Sequence, residues 1–584
     1  MISIISFLQA PIVLYTITLT IAWIFVQIAS RISSKKLVLN INGYLAFTIF
    51  VVYLLLTVLF INVNVSCFLY LHALMLVLTL MMVSYSRKRT KLTFFITFVV
   101  ALMPVLVMIS TKHPFPLGDD ARFIGFANAI DKDGRWIPYK YSENSYYQFF
   151  HLIPYLEYFL ASIFGVDLEN ITIYYLVLKL CLYFLYLSLI YLVVKNLTGD
   201  KPSSLIAMLL SSITPPLALT QVVHQTYAIV LFLATALLFL QGFKDNQKLI
   251  TKILATFPLM ITGIVAHATY IIMVMAFIIP FIMASERWVK NSMSLIAKLL
   301  TLLISISLVY WIYTYVLDLI VRPSVNAVER LIDLLTGRAI YSTFQGTAKP
   351  WYTSEISIFF ISWTLIPSIV ASYAILSPVL KAKRDIRFWS GIEMLGLVGL
   401  GGTVLNYILR TLSTFGGRYF YWLYILMLPL SALIVRKASR KLIGLILCIV
   451  LISAVSFYGV QDPTLSANTY GNYIGWADRT SWEVAIGLAP YIKPEIKIWL
   501  DPRIGVPISS LTPPPLLGEG LNTGQVITII ISKDSIGLHA MSRYPRNVDF
   551  FKRYFNSNPS YILDDLNNLN VIYRCRSYYG IIKT

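Results

Sequence analysis

The chain has 584 residues, of which 58% are hydrophobic and only 13% charged, and its mean hydropathy is +0.73. A soluble domain cannot bury that much apolar surface, so the composition excludes a soluble protein and predicts a membrane protein. The formal net charge is +20. The lysines and arginines lie in short loops between apolar runs, however, so this charge does not indicate nucleic-acid binding. The four cysteines form neither a disulfide framework nor a CxxC metal motif.

Apolar runs of about 18–25 residues, long enough to cross a hydrocarbon core, recur along the chain. They predict a polytopic α-helical membrane protein with about fourteen transmembrane helices. The chain divides into an N-terminal three-helix extension (1–91), a transmembrane core (92–460) and a C-terminal tail (461–584). The predicted spans are 3–29, 39–60, 66–84, 92–110, 171–194, 203–220, 225–242, 249–265, 269–284, 294–317, 356–380, 389–409, 418–436 and 441–459.

The positive charges predict how the helices are oriented, because basic loops stay on the cytoplasmic side. One orientation fits every strongly basic segment. It places the N-terminus, the first outer loop (111–170), the loop 318–355 and the tail outside, as in a multi-pass plasma-membrane protein. The N-terminal run has no basic start and no small-residue cleavage site, so it is predicted as a retained helix. The basic segments are 31–36, 86–91, 244–248, 285–290, 381–387 and 436–441.

The tail differs in composition from the rest of the chain. "EIKIWL" (495–500) and "VITIIIS" (526–532) are typical of strands, whereas "TSWEVAIGLAPYI" (480–492) and "NVDFFKRYF" (547–555) are typical of short helices. With roughly 125 residues, the tail is long enough for a small extracytoplasmic α/β domain.

The first outer loop contains an acidic pair in "PLGDDARFIGFANAIDKDGRWIP" (116–138). Asp119 and Asp120 follow the predicted span 92–110, so the topology puts them at the extracytoplasmic boundary. An interpretation without catalysis is that the two carboxylates are solvated or cap the helix after them, since carboxylates stabilise helix N-termini.

The segment from Asp119 to Pro138 resembles the first outer loop of the GT-C membrane glycosyltransferases, which include protein mannosyltransferases and lipid A aminoarabinose transferases. That loop carries an acidic pair, then x-Arg-Tyr, and after about ten residues a Gly-x-Trp and a Pro. The first part of the motif is matched by Asp119, Asp120, Arg122 and Phe123. The second part is matched by Gly134, Trp136 and Pro138.

The next segment, "HLIPYLEYFLASIFGV" (151–166), resembles an amphipathic stretch of the same family, Lys-Pro-Pro-Leu-x-Tyr-Trp…Phe-Gly. The family's lysine, which lies toward a phosphate, is replaced here by Leu152, and only His151 stands nearby. The residues that fit are Pro154, Tyr158, Phe164 and Gly165.

The resemblance implies an inverting glycosyltransferase that takes a sugar from a polyprenyl- or dolichyl-phosphate donor. The acceptor is a hydroxyl of a protein, glycan or lipid on the outer face. Such an acceptor needs a base to remove its proton, and the motif assigns that role to Asp119. Asp120 orients the acceptor or, with Asp119, holds a divalent cation such as Mg²⁺ or Mn²⁺, which some members of the superfamily use.

A departing phosphate requires fixed positive charge or hydrogen-bond donors. Arg418 in "FGGRYFYWLYILMLPL" (415–430) is the first choice, because related transferases place Arg-Tyr at the start of a late helix. Arg122, His151 and His267 are the other predicted donor-binding residues. The alternative for Arg418 is an interfacial anchor, and the alternative for His267 is a buried histidine satisfied by the backbone.

Three other functions fit a polytopic membrane protein. An oligosaccharyltransferase would carry a Trp-Trp-Asp-x-Gly motif, for which the chain offers only "GWADRTSW" (475–482). A polysaccharide polymerase or ligase would depend on outer-loop arginines more than on an acidic pair. A transporter would place charges or helix breaks near the midplane, and only Pro215–Pro216 break a span in this chain.

Overall fold

The structure is a computed structural model. It describes residues 11–32, 43–63, 65–85, 91–111, 130–131, 133–135, 155–156, 158–159, 162–163, 171–213, 224–244, 249–267, 269–284, 293–313, 354–382, 390–412, 420–438, 443–461, 498–500, 528–532, 571–575 and 578–582. These residues contain fourteen α-helices, and each coincides with one of the predicted spans. The helices are α1 Pro11–Ile32, α2 Gly43–Val63, α3 Val65–Tyr85, α4 Lys91–Thr111, α5 Ile171–Thr198, α6 Lys201–Ser211, α7 His224–Lys244, α8 Leu249–Ala266, α9 Tyr270–Met283, α10 Met293–Tyr313, α11 Ser354–Ala382, α12 Gly391–Leu412, α13 Phe420–Lys437 and α14 Ile443–Gln461.

Several of these helices are apolar on most of their surface, as expected where the surroundings are lipid rather than water. Among the described residues, four helical segments are long and apolar enough to cross a membrane, and the remaining apolar helices are shorter. The four segments are Gly43–Phe60, Cys67–Ser84, Val177–Thr198 and Gln225–Gly242. The prediction of a polytopic helical membrane protein is confirmed at this level.

The chain divides into two compact units. The helical unit comprises Met1–Leu106, Leu182–Thr220 and Tyr227–Asp462. The second unit comprises Val107–Cys181, Gln221–Thr226 and Pro463–Thr584. The domain boundaries predicted from the sequence stay predictions.

Helix α13 lies at the centre of the helical unit and packs against α6, α11 and α12. Every residue from 422 to 430 is buried. Helix α12 approaches α13 closely through Gly396, Gly399 and Gly402, because the absence of a side chain lets two backbones come together. A Cβ on Gly399 would lie only 3.0 Å from the carbonyl oxygen of Leu423.

The N-terminal helices pack into the same unit. Helix α1 runs along α11, and the amide of Gln27 donates a hydrogen bond to Ser372 Oγ over 2.7 Å. Helices α3 and α14 also pack together. A polar pair of this kind fixes the register of two apolar helices, for which dispersion alone gives little specificity.

One end of the helical unit is held by Arg436. Its guanidinium donates to the carbonyl of Ser84 over 2.7 Å and lies 3.9 Å from the carboxylate of Asp200. Asp200 in turn caps α6, because its side chain accepts the Ser203 N–H over 3.1 Å. Thus the ends of α3 and α13, which lead into the basic segments 86–91 and 436–441, lie together. The cytoplasmic orientation of these segments stays a prediction.

The described part of the tail is a four-stranded sheet with strand order β1-β2-β4-β3. The strands are β1 Ile498–Leu500, β2 Thr528–Ser532, β3 Val571–Cys575 and β4 Tyr578–Ile582. The pair β1–β2 is parallel, whereas β2–β4 and β3–β4 are antiparallel. β1 and β2 fall in the two predicted strand segments, and the two predicted short helices of the tail lie outside the described residues.

Candidate functional site

His267 occupies a tight turn between α8 and α9. Its backbone N–H makes the last bond of α8, to Gly263 O over 3.0 Å. Its carbonyl accepts from Tyr270 N over 3.0 Å, and the carbonyl of Thr269 then starts α9 by accepting from Met273 N. The two helices are thus joined with almost no free chain, and the histidine side chain is 6% exposed.

The imidazole of His267 is held by Thr269. Nδ1 lies 3.1 Å from the backbone N of Thr269 and 2.7 Å from its hydroxyl oxygen. Thr269 is itself only 6% exposed. These two contacts fix the ring in one orientation, which a freely rotating surface histidine would not have.

Aromatic rings form the wall behind His267. The ring centroid of Trp422 is 5.8 Å from that of His267, and Phe232 packs edge-on against Trp422 at 5.8 Å. Phe277 continues the wall with a T-shaped contact to Phe232. Trp422 is fully buried, and no hydrogen-bond partner for its Nε1 is found among the described residues.

Tyr270 fixes the turn from the other side. Its hydroxyl forms a 2.6 Å hydrogen bond with Thr235 Oγ1 of α7, and its ring lies directly over Gly263. Both Tyr270 and Thr235 are buried. Three helices therefore determine where the turn lies, which is the rigidity that a binding or catalytic group requires.

The contact between His267 and Trp422 bears on two predicted donor-binding residues, His267 and Arg418. Trp422 is the third residue of α13, and Arg418 precedes the first residue of that helix by two positions. The fold therefore brings His267 to the end of α13 at which Arg418 enters. Arg418 itself lies outside the described residues.

The other predicted site residues also lie outside the described residues: Asp119, Asp120, Arg122 and His151. In the same loop of the sequence, Asp131 is described and is exposed. Gly134 has φ +69°, a left-handed conformation that favours glycine, at the position where the motif requires one.

Part of the amphipathic segment 151–166 is helical. Ser162 Oγ donates to Tyr158 O over 2.8 Å, the spacing of one helical turn. Tyr155, Phe159 and Ile163 follow one another at intervals of four residues and are all exposed. An exposed apolar stripe with an aromatic at its start is typical of a helix that lies at a membrane surface.

No group of three or more His, Cys, Asp or Glu side chains that could hold a metal is found in the described part of the chain. An apolar cavity between α5, α7, α9, α12 and α13 has a volume of about 10 Å³, which is the room of one water molecule and too small for a sugar or a prenyl unit.

The sequence reasoning missed two buried polar groups within helices. Lys179 of α5 is 4% exposed, and His72 of α3 is fully buried with its Nδ1 2.8 Å from the hydroxyl of Tyr53. Ionisable residues in apolar helices cost free energy and are a default signal of function. That signal was present in "LVLKLCLY" (176–183) and "FLYLHALM" (68–75).

Comparison with known proteins finds a matching family model and a similar solved structure. A family model described as dolichyl-phosphate-mannose-protein mannosyltransferase matches residues 151–311, about a quarter of the chain. Among solved structures, the crystal structure of ArnT from Cupriavidus metallidurans in the apo state matches with a TM-score of 0.44 and 11% identity, over 84% of this chain and 97% of that one. No curated protein sequence matches the chain.

The family match includes His151, the amphipathic segment and the whole α8–α9 turn with His267. It confirms the resemblance to GT-C membrane glycosyltransferases, and the acidic pair Asp119–Asp120 lies outside the matched residues. The predicted enzyme class, a glycosyltransferase with a lipid-linked sugar as its donor, is confirmed with it.

Proposed function

We propose that this chain is an inverting transferase that moves one sugar from a polyprenyl-phosphate donor to a hydroxyl acceptor on the outer face of the plasma membrane. The observation that carries the proposal is the contact of His267 with Trp422, 5.8 Å between ring centroids, at the end of α13 that Arg418 precedes. A hydrogen-bonding imidazole and an arginine at one helix end suit a leaving phosphate.

The proposed reaction is a single displacement. The acceptor oxygen forms a bond to the anomeric carbon while the bond between that carbon and the phosphate oxygen breaks. Asp119 takes the acceptor proton, and the polyprenyl phosphate leaves with the electron pair. Arg418 and His267 stabilise the charge that develops on the phosphate, with Arg122 and His151 as further donor contacts, and Asp120 orients the acceptor.

The base is tested with purified protein in lipid vesicles, supplied with dolichyl phosphate mannose and a panel of other polyprenyl-phosphate sugars and hydroxyl acceptors. Asp119→Asn should lower transfer by about 10²–10⁴-fold, the typical contribution of a general base. Asp131→Asn is the matched control, because Asp131 is an exposed carboxylate of the same loop. Transfer that is equal in the two variants would exclude Asp119 as the base.

Asp119 and Asp120 are also the residues that would hold a divalent cation, because Mg²⁺ and Mn²⁺ prefer oxygen ligands. Treatment of the purified protein with EDTA tests this. Loss of transfer that added Mn²⁺ or Mg²⁺ restores supports the cation, whereas unchanged transfer contradicts it.

The proposed orientation places Asp131 outside and the end of α13 inside. Both Asp131 and Lys437 are exposed, so single-cysteine variants at these positions in a cysteine-free background can be labelled. Asp131→Cys should react with a membrane-impermeant maleimide on intact cells, and Lys437→Cys only after permeabilisation. The reverse pattern would contradict the proposed orientation.

A further inference from the structure

We infer that Thr269 is a positioning residue: it holds His267 in the tautomer with the proton on Nε2, so that His267 serves the donor as a neutral hydrogen-bond donor and not as a proton acceptor. The inference rests on the proposed function for its consequence in catalysis. The tautomer itself follows from the contacts alone.

The backbone N–H of Thr269 decides the tautomer. An amide N–H can only donate, so the Nδ1 atom that faces it at 3.1 Å must accept and carries no proton. The hydroxyl of Thr269, 2.7 Å from the same atom, must therefore donate as well. The proton of the neutral ring then lies on Nε2.

The geometry of Thr269 departs from what its position predicts. It is the N-cap of α9, where a threonine hydroxyl normally accepts a bond from the second or third N–H of the helix. Here the hydroxyl makes no capping bond, and the backbone is in the right-handed helical region, with φ −79° and ψ −8°. The hydroxyl is used for His267 instead, and such a departure from a local rule is expected at a functional position.

The surroundings keep this pair fixed. Thr269 lies between His267 and Tyr270, and Tyr270 is held by Thr235. The ring of Trp422 packs beside the imidazole at a tilt of 48°. Because these groups are buried, rotation of the ring would break hydrogen bonds to Nδ1 without water to replace them.

A matched set of threonine variants tests the role of the hydroxyl. Thr269→Val keeps the shape and removes the hydroxyl, and Thr269→Ser keeps the hydroxyl. Thr262→Val is the control, because Thr262 is a half-buried threonine of α8 whose hydroxyl donates to Pro258 O within its own helix. With dolichyl phosphate mannose as donor, Thr269→Val should lower kcat/KM for the donor roughly tenfold, the effect of one lost hydrogen bond. Thr269→Ser should restore most of the rate, and Thr262→Val should match the wild type.

Two substitutions at His267 test which nitrogen carries the proton. The amide nitrogen of a glutamine can take the place of Nε2–H, whereas that of an asparagine takes the place of Nδ1. His267→Gln should therefore retain at least about tenfold more transfer than His267→Asn, since only the first keeps a donor on the required side. Equal loss in both variants, or a Thr269→Val variant as active as Thr262→Val, would overturn the positioning role.

Nitrogen-15 NMR of histidine-labelled protein determines the tautomer of His267 independently of any activity assay. The chain has six histidines, and the signal of His267 is identified as the one missing from His267→Gln. The wild type should show an unprotonated Nδ1 and a protonated Nε2, and Thr269→Val should show a second tautomer. A protonated Nδ1 in the wild type would overturn the inference, even if no donor in the panel were a substrate and the proposed function itself had failed.

Discussion

The contact between Gly263 and Tyr270 makes a specific prediction for Gly263→Ala. Gly263 lies in α8 and accepts the last helical bond from His267. A Cβ added there would overlap the ring of Tyr270, which is fully buried and tied to Thr235 through its hydroxyl. The ring cannot swing away without breaking that hydrogen bond, so the α8–α9 turn must shift.

The expected cost follows from three contributions. Overpacking of a well-filled core costs about 1–3 kcal/mol. Loss of an interhelical hydrogen bond in a membrane protein adds about 0.6 kcal/mol. Alanine is favoured over glycine in a helix by about 1 kcal/mol, which opposes the other two. The net destabilisation of Gly263→Ala is therefore about 0.6–2.6 kcal/mol.

Gly401→Ala is the matched control. Gly401 is an exposed glycine within a helix, and a Cβ there would meet no atom within 4 Å. Only the gain in helix propensity remains, so this variant should be neutral or more stable by up to about 1 kcal/mol. The two variants introduce the same methyl group and differ only in what it meets.

The free energy of unfolding is measured by SDS titration of the purified protein, and transfer is measured per folded molecule. Gly263→Ala should be less stable than Gly401→Ala and should also lose transfer, because the shifted turn carries His267. The double variant Gly263→Ala/Tyr270→Leu replaces the ring with a smaller side chain. In a double-mutant cycle it should recover part of the packing cost. If Gly263→Ala is as stable and as active as Gly401→Ala, the argument that Tyr270 fixes the turn is wrong.

Three further predictions concern the rest of the helical unit and use the same unfolding assay. Gly399→Ala should destabilise by about 1–3 kcal/mol, because a Cβ there would lie 3.0 Å from the carbonyl oxygen of Leu423, which cannot move without its helix; stability equal to the wild type would show that α12 and α13 can separate freely. Tyr53→Phe should cost about 0.6 kcal/mol through its bond to His72, and a larger loss would indicate a wider network. Asp200→Ala should cost about 1 kcal/mol by removing the cap of α6, whereas Asp200→Ser should keep most of it.

Much of the helical architecture could be predicted because an apolar run of the right length has few other structures open to it in a bilayer. The start of α6 was placed two residues late, although Asp200 with a proline two residues later is a typical helix start. Strands β3 and β4 were missed. The segments "VIYRC" and "YYGII" are rich in β-branched and aromatic residues and are separated by only two residues, a pattern that predicts a hairpin.

The candidate site could be predicted less completely. The sequence placed His267 between two short helices, and the structure agrees. The contact with Trp422 could not be predicted, because it joins residues 155 positions apart in sequence and no local pattern encodes such a pairing. The role of Thr269 was hidden for a different reason: the rule for N-cap threonines predicts a bond to the helix, and the structure directs the hydroxyl to the histidine instead.

Helix α13 connects the two ends of the helical unit. Trp422 contacts His267 near its start, and Arg436 holds its other end to Ser84 and Asp200. Trp422 and Arg436 are 14 positions apart, which corresponds to about 21 Å along the helix at 1.5 Å per residue. The contacts of Arg436 restrain the helix along its own axis, and through the helix they restrain the height of Trp422, which packs beside the imidazole. The Arg436 end therefore contributes to the geometry of the candidate site without any contact with the substrate.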